Sequence, residues 1–318
     1  MSGHKFGVGI TGLGKGIPKK RVTTEALAKR LRVNPKVILE RTGIQSRFFV
    51  DGEETASGIS VKAAKQALER SGIQADSINL VIGCTSSGDY IFPATACKIQ
   101  NLLGAHRAGA FDLSASAAGF PIALGLARDR LACDPSAEHV LVFGTAVQSP
   151  YLNWSDPKIS PLLGDGAGAA VLSRIPKGYG ILACDTQSKG EAYEAARLKG
   201  GRFKIEMDGV TMGKEFLKGQ PEIINRVLKK AGVSLNKVDL FIFHQANLRL
   251  IHFLMDRMKL SRSKTFTNVE HMGNTADASI PLALCEAVEQ KRIKRGDWVV
   301  LSALGAGCLL SATALRWY

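Results

Sequence analysis

The chain repeats itself at an interval of 160 residues, without a gap over the clearest stretch. Ser71-Gly72-Ile73-Gln74-Ala75-Asp76-Ser77-Ile78-Asn79-Leu80-Val81-Ile82 lies against Ala231-Gly232-Val233-Ser234-Leu235-Asn236-Lys237-Val238-Asp239-Leu240-Phe241-Ile242. Each copy predicts a helix that stops at a glycine cap and an apolar strand after it. Pro121-Ile122-Ala123-Leu124 matches Pro281-Leu282-Ala283-Leu284 at the same interval. Further on, His139–Phe143 matches Asp297–Leu301, and Gly164-Asp165-Gly166 matches Gly305-Ala306-Gly307, each glycine pair leading into an apolar run. Continuous apolar strands alternating with helices need both sheet faces covered, so the expected fold class is α/β with mainly parallel mixed sheets. Two similar halves, roughly residues 1–175 and 176–318, should share central helices and pack as one unit. Loops after equivalent strands then converge near the pseudo-twofold axis. Three such loops, Ser114–Gly119, His244–Asn247 and Gly273–Ser279, are small and polar where the strands before them are apolar. Lys189–Arg202 is the expected long surface loop.

Composition narrows the function classes. The chain is 45% hydrophobic and 22% charged, ordinary for a globular protein. No 18-residue apolar run predicts a membrane span. Met1-Ser2-Gly3-His4-Lys5 carries no signal-peptide pattern, which points to the cytoplasm. Cys84, Cys97, Cys133, Cys184, Cys285 and Cys308 lack metal-ligand spacing and read as reduced, mostly buried residues, with no metal site. The net charge of +14 suits an acidic protein, a phosphorylated substrate or an anionic membrane. Nucleic acid is the weakest candidate, because the basic residues are dispersed and no zinc finger or aromatic-interleaved basic strand is present. Gly7-Val8-Gly9-Ile10-Thr11-Gly12 matches a dinucleotide fingerprint, yet Gly14, Gly16 and Pro18 follow and helix-like sequence begins only near Thr23. It reads as a glycine-rich strand and turn and implies no cofactor.

Several motifs stand in order along nearly the whole chain. They are Arg41-Thr42-Gly43-Ile44, Phe92-Pro93-Ala94, Gly164-Asp165-Gly166-Ala167-Gly168-Ala169-Ala170, His244-Gln245-Ala246-Asn247-Leu248-Arg249, and Gly273-Asn274-Thr275 followed by Ala278-Ser279-Ile280-Pro281. Together they resemble ketoacyl-acyl-carrier-protein synthase III, a condensing enzyme with the thiolase fold. The resemblance implies a homodimer that parks an acyl group on a cysteine and condenses it, with loss of CO2, with a malonyl thioester on acyl carrier protein. It implies that His244 and Asn274 are the neutral donors to the enolate oxygen, where such donors lower the barrier. It places Phe92, Gly209, Gly305 and Gly307 at the substrate. Arg249 and Lys214 become the carrier-protein docking residues, extended by Lys259, Arg262 and Lys264. His252, eight residues beyond His244, reads as structural.

The nucleophile belongs in Phe111-Asp112-Leu113-Ser114-Ala115-Ser116-Ala117-Ala118-Gly119-Phe120. Gapless alignment on the family pattern puts Ala117 where the cysteine is expected, and a methyl group cannot carry an acyl chain. Three readings stay open: an introduced Cys-to-Ala change, a natural variant using Ser116, and a non-acylating partner subunit. Ser116, one residue early, would be rotated roughly 100° away on a helix. Cys84 and Cys308 read as small core residues. An acyltransferase on the same fold, forming an ester or amide with His244 as base, is the alternative activity. Coenzyme A contacts are reduced: Val37 replaces the expected stacking tryptophan, and Pro157-Lys158 stand where an arginine is expected. Gly209 replaces a bulky aromatic in Met207–Gly213, which implies a wider entrance and a carrier-bound or longer acyl group.

Overall fold

A computed structural model describes residues 5–198 and 204–318. Met1 to His4, and the end of the segment read as a loop up to Arg202, lie outside the described residues. The first sheet contains β1 (Phe6–Gly16), β4 (Ile78–Thr85), β5 (Gly109–Leu113), β6 (His139–Ala146) and β7 (Gly166–Pro176), in the order β1-β7-β6-β4-β5. The second contains β8 (Gly180–Gln187), β11 (Leu240–Phe243), β12 (Trp298–Gly305) and β13 (Leu309–Arg316), in the order β11-β12-β13-β8. Two ribbons complete the set: β2 (Lys20–Thr23) with β3 (Ser46–Phe49), and β9 (Ala196–Leu198) with β10 (Ile205–Met207).

The duplication is visible in the pairing. In the first sheet β5, β4 and β6 are parallel, and β7 and β1 then run antiparallel. In the second, β11 and β12 are parallel, and β13 and β8 run antiparallel. The sheets are therefore mixed, with more antiparallel pairing than the apolar runs suggested. The cause is connection length: only Ala306–Cys308 separate β12 from β13, too short for a parallel crossover. The counterpart of β5 is reduced in the second half to one parallel bridge, Thr265 beside Phe241.

Helices α5 (Gly119–Cys133) and α9 (Ser279–Glu289) lie between the sheets and touch both. Phe120, Ala123, Leu124, Ala127 and Leu131 of α5 are fully buried, as are Ile280, Leu282, Ala283 and Leu284 of α9. The start of each helix is apolar around its axis, which suits a position between two sheets, and α5 emerges to solvent towards Asp129 and Arg130. Outside the first sheet lie α3 (Ala56–Ser71) and α4 (Thr95–Leu103), and outside the second lie α6 (Gly209–Ala231) and α7 (Leu248–Arg257). Short helices α1 (Thr24–Leu31), α2 (Pro35–Thr42) and α8 (Val269–Met272) stand among the loops. Both repeated glycines cap their helices as expected, Gly72 at φ 69° and Gly232 at φ 70°.

The glycine-rich start has a packing cause. Gly12, Gly14 and Gly16 share one face of β1, and a Cβ on each would collide with the carbonyl oxygen of Ala67, Ala63 or Ile59. Those three residues lie four apart on α3, so the helix backbone rests directly on the strand. The described part of the expected loop, Lys189–Leu198, is more ordered than a surface loop: it holds a short 3₁₀ stretch at Gly190–Ala195 and then β9.

Candidate active site

The three expected loops meet at one cavity of about 140 Å³, whose walls include Ser116, Ala117, His244, Asn274, Asp277 and Gly305. His244 follows β11, and its backbone N–H donates to Ser302 O of β12 at 2.9 Å. The ring is buried, with Nδ1 2.7 Å from the Ser279 hydroxyl at the start of α9. Burial pushes the imidazole down to about 4, so the ring is neutral at ordinary pH. With the hydroxyl donating to Nδ1, the ring proton sits on Nε2, where it can serve an oxyanion.

Asn274 is fixed at every backbone group. Its N–H donates to Leu162 O at 2.7 Å. Its carbonyl accepts from Gly164 N, at 2.9 Å, and from the buried Gln148 Nε2, also at 2.9 Å. The side-chain Oδ1 accepts from Ala276 N at 2.9 Å, which leaves the NH2 group as the available donor. Gly273 supplies the turn before it, at φ 67°. Two neutral donors, one imidazole and one carboxamide, thus border the same small space.

Ala117 lies in the turn Ser116–Ala118 that leads into α5, 2% exposed. Ser116 has φ 48° and also lines the cavity. The rotation estimate placed it on a helix and turned it away; the left-handed turn ahead of α5 brings it back. Gly305 is required for closeness, because a Cβ there would strike Ala115 O and lie 3.0 Å from Ala118 N. Gly307 is outside the cavity wall and serves a left-handed turn at φ 75°. Phe92 is also outside the wall. It sits with Tyr90 and Ile91 on the loop after β4, which carries all three outward, and Phe92 is 84% exposed. Cys84 is a fully buried β4 residue, as expected; Cys308 is buried in the turn before β13, not in the strand. Cys97 and Cys133 are exposed, and all six cysteines are free.

An outer groove of about 420 Å³ continues the cavity through Met207, which lines both. Its walls include Val37, Arg41, Lys158, Gly209, Val210 and Asn247. At Gly209 a Cβ would meet, among the described residues, only Ile159 Cδ1, at 3.9 Å, so the glycine leaves the groove open where a larger side chain would narrow it. Asn247 caps α7 through Arg249 N and Leu250 N and donates to Arg41 O. Arg249 is exposed but bonded to the end of α2, with Nε 3.0 Å from Glu40 O. Lys214 is exposed in the first turns of α6. Lys264 is committed elsewhere: its Nζ donates to Asn236 O at 3.0 Å and Val238 O at 2.7 Å. Arg262 is paired with Asp256.

Residues 228–317 match the family described as 3-oxoacyl-[acyl-carrier-protein] synthase III C terminal, and residues 111–190 match its companion, 3-oxoacyl-[acyl-carrier-protein] synthase III. The beta-ketoacyl-[acyl-carrier-protein] synthase III of Symbiobacterium thermophilum is 36% identical, covering 98% of each chain. The chain belongs to the synthase III family. The crystal structure of the Aquifex aeolicus synthase III superposes with a TM-score of 0.94 at 36% identity, over 98% of this chain and 100% of that one. The priming ketosynthase of the R1128 polyketide pathway superposes at 0.92 with 29% identity, over 100% and 98%. The thiolase-like architecture is therefore shared along the whole chain.

Two carboxylates explain synthase III motifs that sequence alone left without a mechanism. Asp165 of the Gly-Asp-Gly motif accepts from Gln148 N, Ser149 N, Ser149 Oγ and Val50 N, and so holds the loop that supports Asn274. Asp112 receives Thr95 N and Ala96 N at the start of α4. A third, Asp277, was passed over between Thr275 and Ala278. Its signal was in the repeat: the 160-residue interval sets Asp277 opposite Ala117.

Proposed function

We propose that this synthase III chain binds a malonyl thioester presented by acyl carrier protein, and that His244 and Asn274 stabilise the enolate formed when CO2 leaves. One observation carries the reading: a neutral imidazole and an oriented carboxamide share a buried cavity at the end of an entrance groove. Such donors act where negative charge develops and need no reorganisation. In the condensing reaction that enolate attacks an acyl group held on a cysteine. With Ala117 in that place, this form makes no acyl-enzyme and completes no condensation. The open groove at Val37 and Gly209 favours a carrier-bound or longer acyl group over a small coenzyme A thioester. The six free cysteines fit a cytoplasmic setting.

Intact-mass measurement tests the reading. Ala117→Cys gains a covalent acyl adduct from a panel of acyl-coenzyme A and acyl-carrier donors, and the unchanged chain gains none. Adduct formation at Ser116 in the unchanged chain, or no adduct with any donor in the cysteine variant, overturns it. We also propose a homodimer formed through the exposed edge of β5 and the apolar loop at Tyr90–Phe92. Light scattering checks this against a 34.1 kDa protomer.

A further inference from the structure

Asp277 is 1% exposed, and neither carboxyl oxygen has a hydrogen-bond partner among the described residues. Leaving a buried carboxylate without donors is costly, so such a group is rare without a task. It is not remote from the chemistry. It borders the same cavity as Ala117, His244 and Asn274. The turn that carries it, Ala276–Ala278, packs on the turn Ser116–Ala118. The two turns are also conformational copies: Ser116 has φ 48° and Ala276 has φ 38°, each one residue ahead of the position in question. One copy therefore offers a methyl group to the cavity and the other a carboxyl group.

We propose that Asp277 is the acid that protonates the α-carbon of the thioester enolate, so that this chain converts a malonyl thioester to an acetyl thioester and CO2. The proposal rests on the enolate reading above. It also answers what that reading leaves unfinished: an enolate with no acyl-enzyme to attack needs a proton. The balance is simple. The bond between the α-carbon and the carboxylate breaks, CO2 leaves, and the electron pair moves into the enolate, whose oxygen faces His244 and Asn274. The α-carbon then takes the Asp277 proton and the thioester carbonyl re-forms. Water entering from the groove reprotonates the carboxylate, for a net uptake of one proton per CO2 released.

The protonation state suits this duty. Burial pushes the Asp277 carboxyl up to about 7; its own N–H and the Ser86 hydroxyl and N–H lie close enough to pull weakly the other way, but none completes a hydrogen bond to it. The start of α9 favours the anion, but no N–H of that helix reaches the carboxyl oxygens. Arg197, which lines the same cavity, is paired with Glu194 and Glu206, and the titratable neighbours are quiet near neutrality. His244 is already neutral, and Cys84 of β4, which senses Asp277, is held as a thiol by burial. The turn Ser116–Ala118 and the glycines Gly144 of β6 and Gly166 of β7 bring no ionisable side chain.

The test uses the unchanged chain and Asp277→Asn with malonyl-carrier protein. The unchanged chain should release CO2, form acetyl-carrier protein carrying one deuterium in D2O, and slow as pH rises through about 7. Asp277→Asn should form acetyl thioester about 10²-fold more slowly, the usual contribution of a general acid, and lose the alkaline fall. A second readout needs no variant. Above neutrality the ionised carboxylate should exchange the methyl hydrogens of acetyl-carrier protein with D2O, by the reverse proton transfer. If the unchanged chain releases no CO2, the enolate reading fails and this proposal falls with it. If it releases CO2 but Asp277→Asn matches it in rate and pH profile, only the proton donor is overturned. A flat pH profile for the unchanged chain, with no methyl exchange, overturns it equally and does not depend on the variant folding.

Discussion

Ser279 and His244 meet at 2.7 Å, and that contact orients the imidazole before any substrate arrives. Both His244→Ala and Asn274→Ala, built on Ala117→Cys, should lower CO2 release from malonyl-carrier protein by about 10²-fold or more, the cost of an oxyanion donor. Acylation of the cysteine introduced at position 117 should suffer less from Asn274→Ala. Unchanged CO2 release in both variants would count against the assignment. Asp277 makes a separate prediction about stability. Its carboxyl is pushed from the ordinary value, about 3.9, up to about 7 in the fold. The folded state then holds the proton more tightly than the unfolded chain does. The stabilisation is full below about 4 and is lost as pH rises through about 7. His244 runs the opposite way, since its lowered value removes stability only as pH falls from about 6.5 towards 4. The melting temperature of the unchanged chain should therefore drop relative to Asp277→Asn between pH 4 and 7, and a constant difference would refute it. That His244, Asn274 and Ala117 would line one cavity was legible in the sequence, because each sits inside a patterned motif. Asp277 was not, because its meaning depends on what touches it, and burial without a partner leaves no mark on residue order.

The strand β1 and the helix α3 show the same limit one level up. Alternating glycines rightly predicted a strand and excluded a dinucleotide turn. What the glycines serve was invisible, since the contact joins residues 12–16 to residues 59–67 and no local periodicity encodes it. Gly14→Ala puts a methyl group against Ala63 O, and neither the strand nor the helix backbone can move aside cheaply. The variant should be less stable by about 1–3 kcal/mol, the usual cost of overpacking, read as a lower urea midpoint with an unchanged slope. Gly52 is the control, at φ 60° with nothing within 4 Å of an added Cβ. Its alanine variant should show only the smaller backbone penalty. A Gly14→Ala midpoint no lower than that of Gly52→Ala would refute the packing account.

Across the whole molecule the repeat pointed to the architecture early, since a chain whose two halves carry the same elements in the same order has few ways to fold other than as paired sheets over shared helices. Strand direction was less legible, because an apolar run reads alike in parallel and antiparallel surroundings. Charge acts at this scale too. Arg249→Glu should raise the apparent KM for carrier-protein substrates and blunt its dependence on salt, while turnover of a short pantetheine thioester stays nearly intact. Because Arg249 also braces α2 through Glu40 O, equal losses on both substrates would mark it as a brace and not a docking residue. The sheet borders carry one last consequence. Strands β1 and β8 meet at Gly9 and Gly180, and β11 is covered by the bridge at Thr265. Within the two main sheets, among the described residues, that leaves β5, with Gly109 and Phe111 exposed, as the border able to accept another strand. A molecule with a single free border can be joined once, and the joining uses it up. In the homodimer proposed above, pairing at β5 would use up that border in both copies and leave neither with one for filament growth.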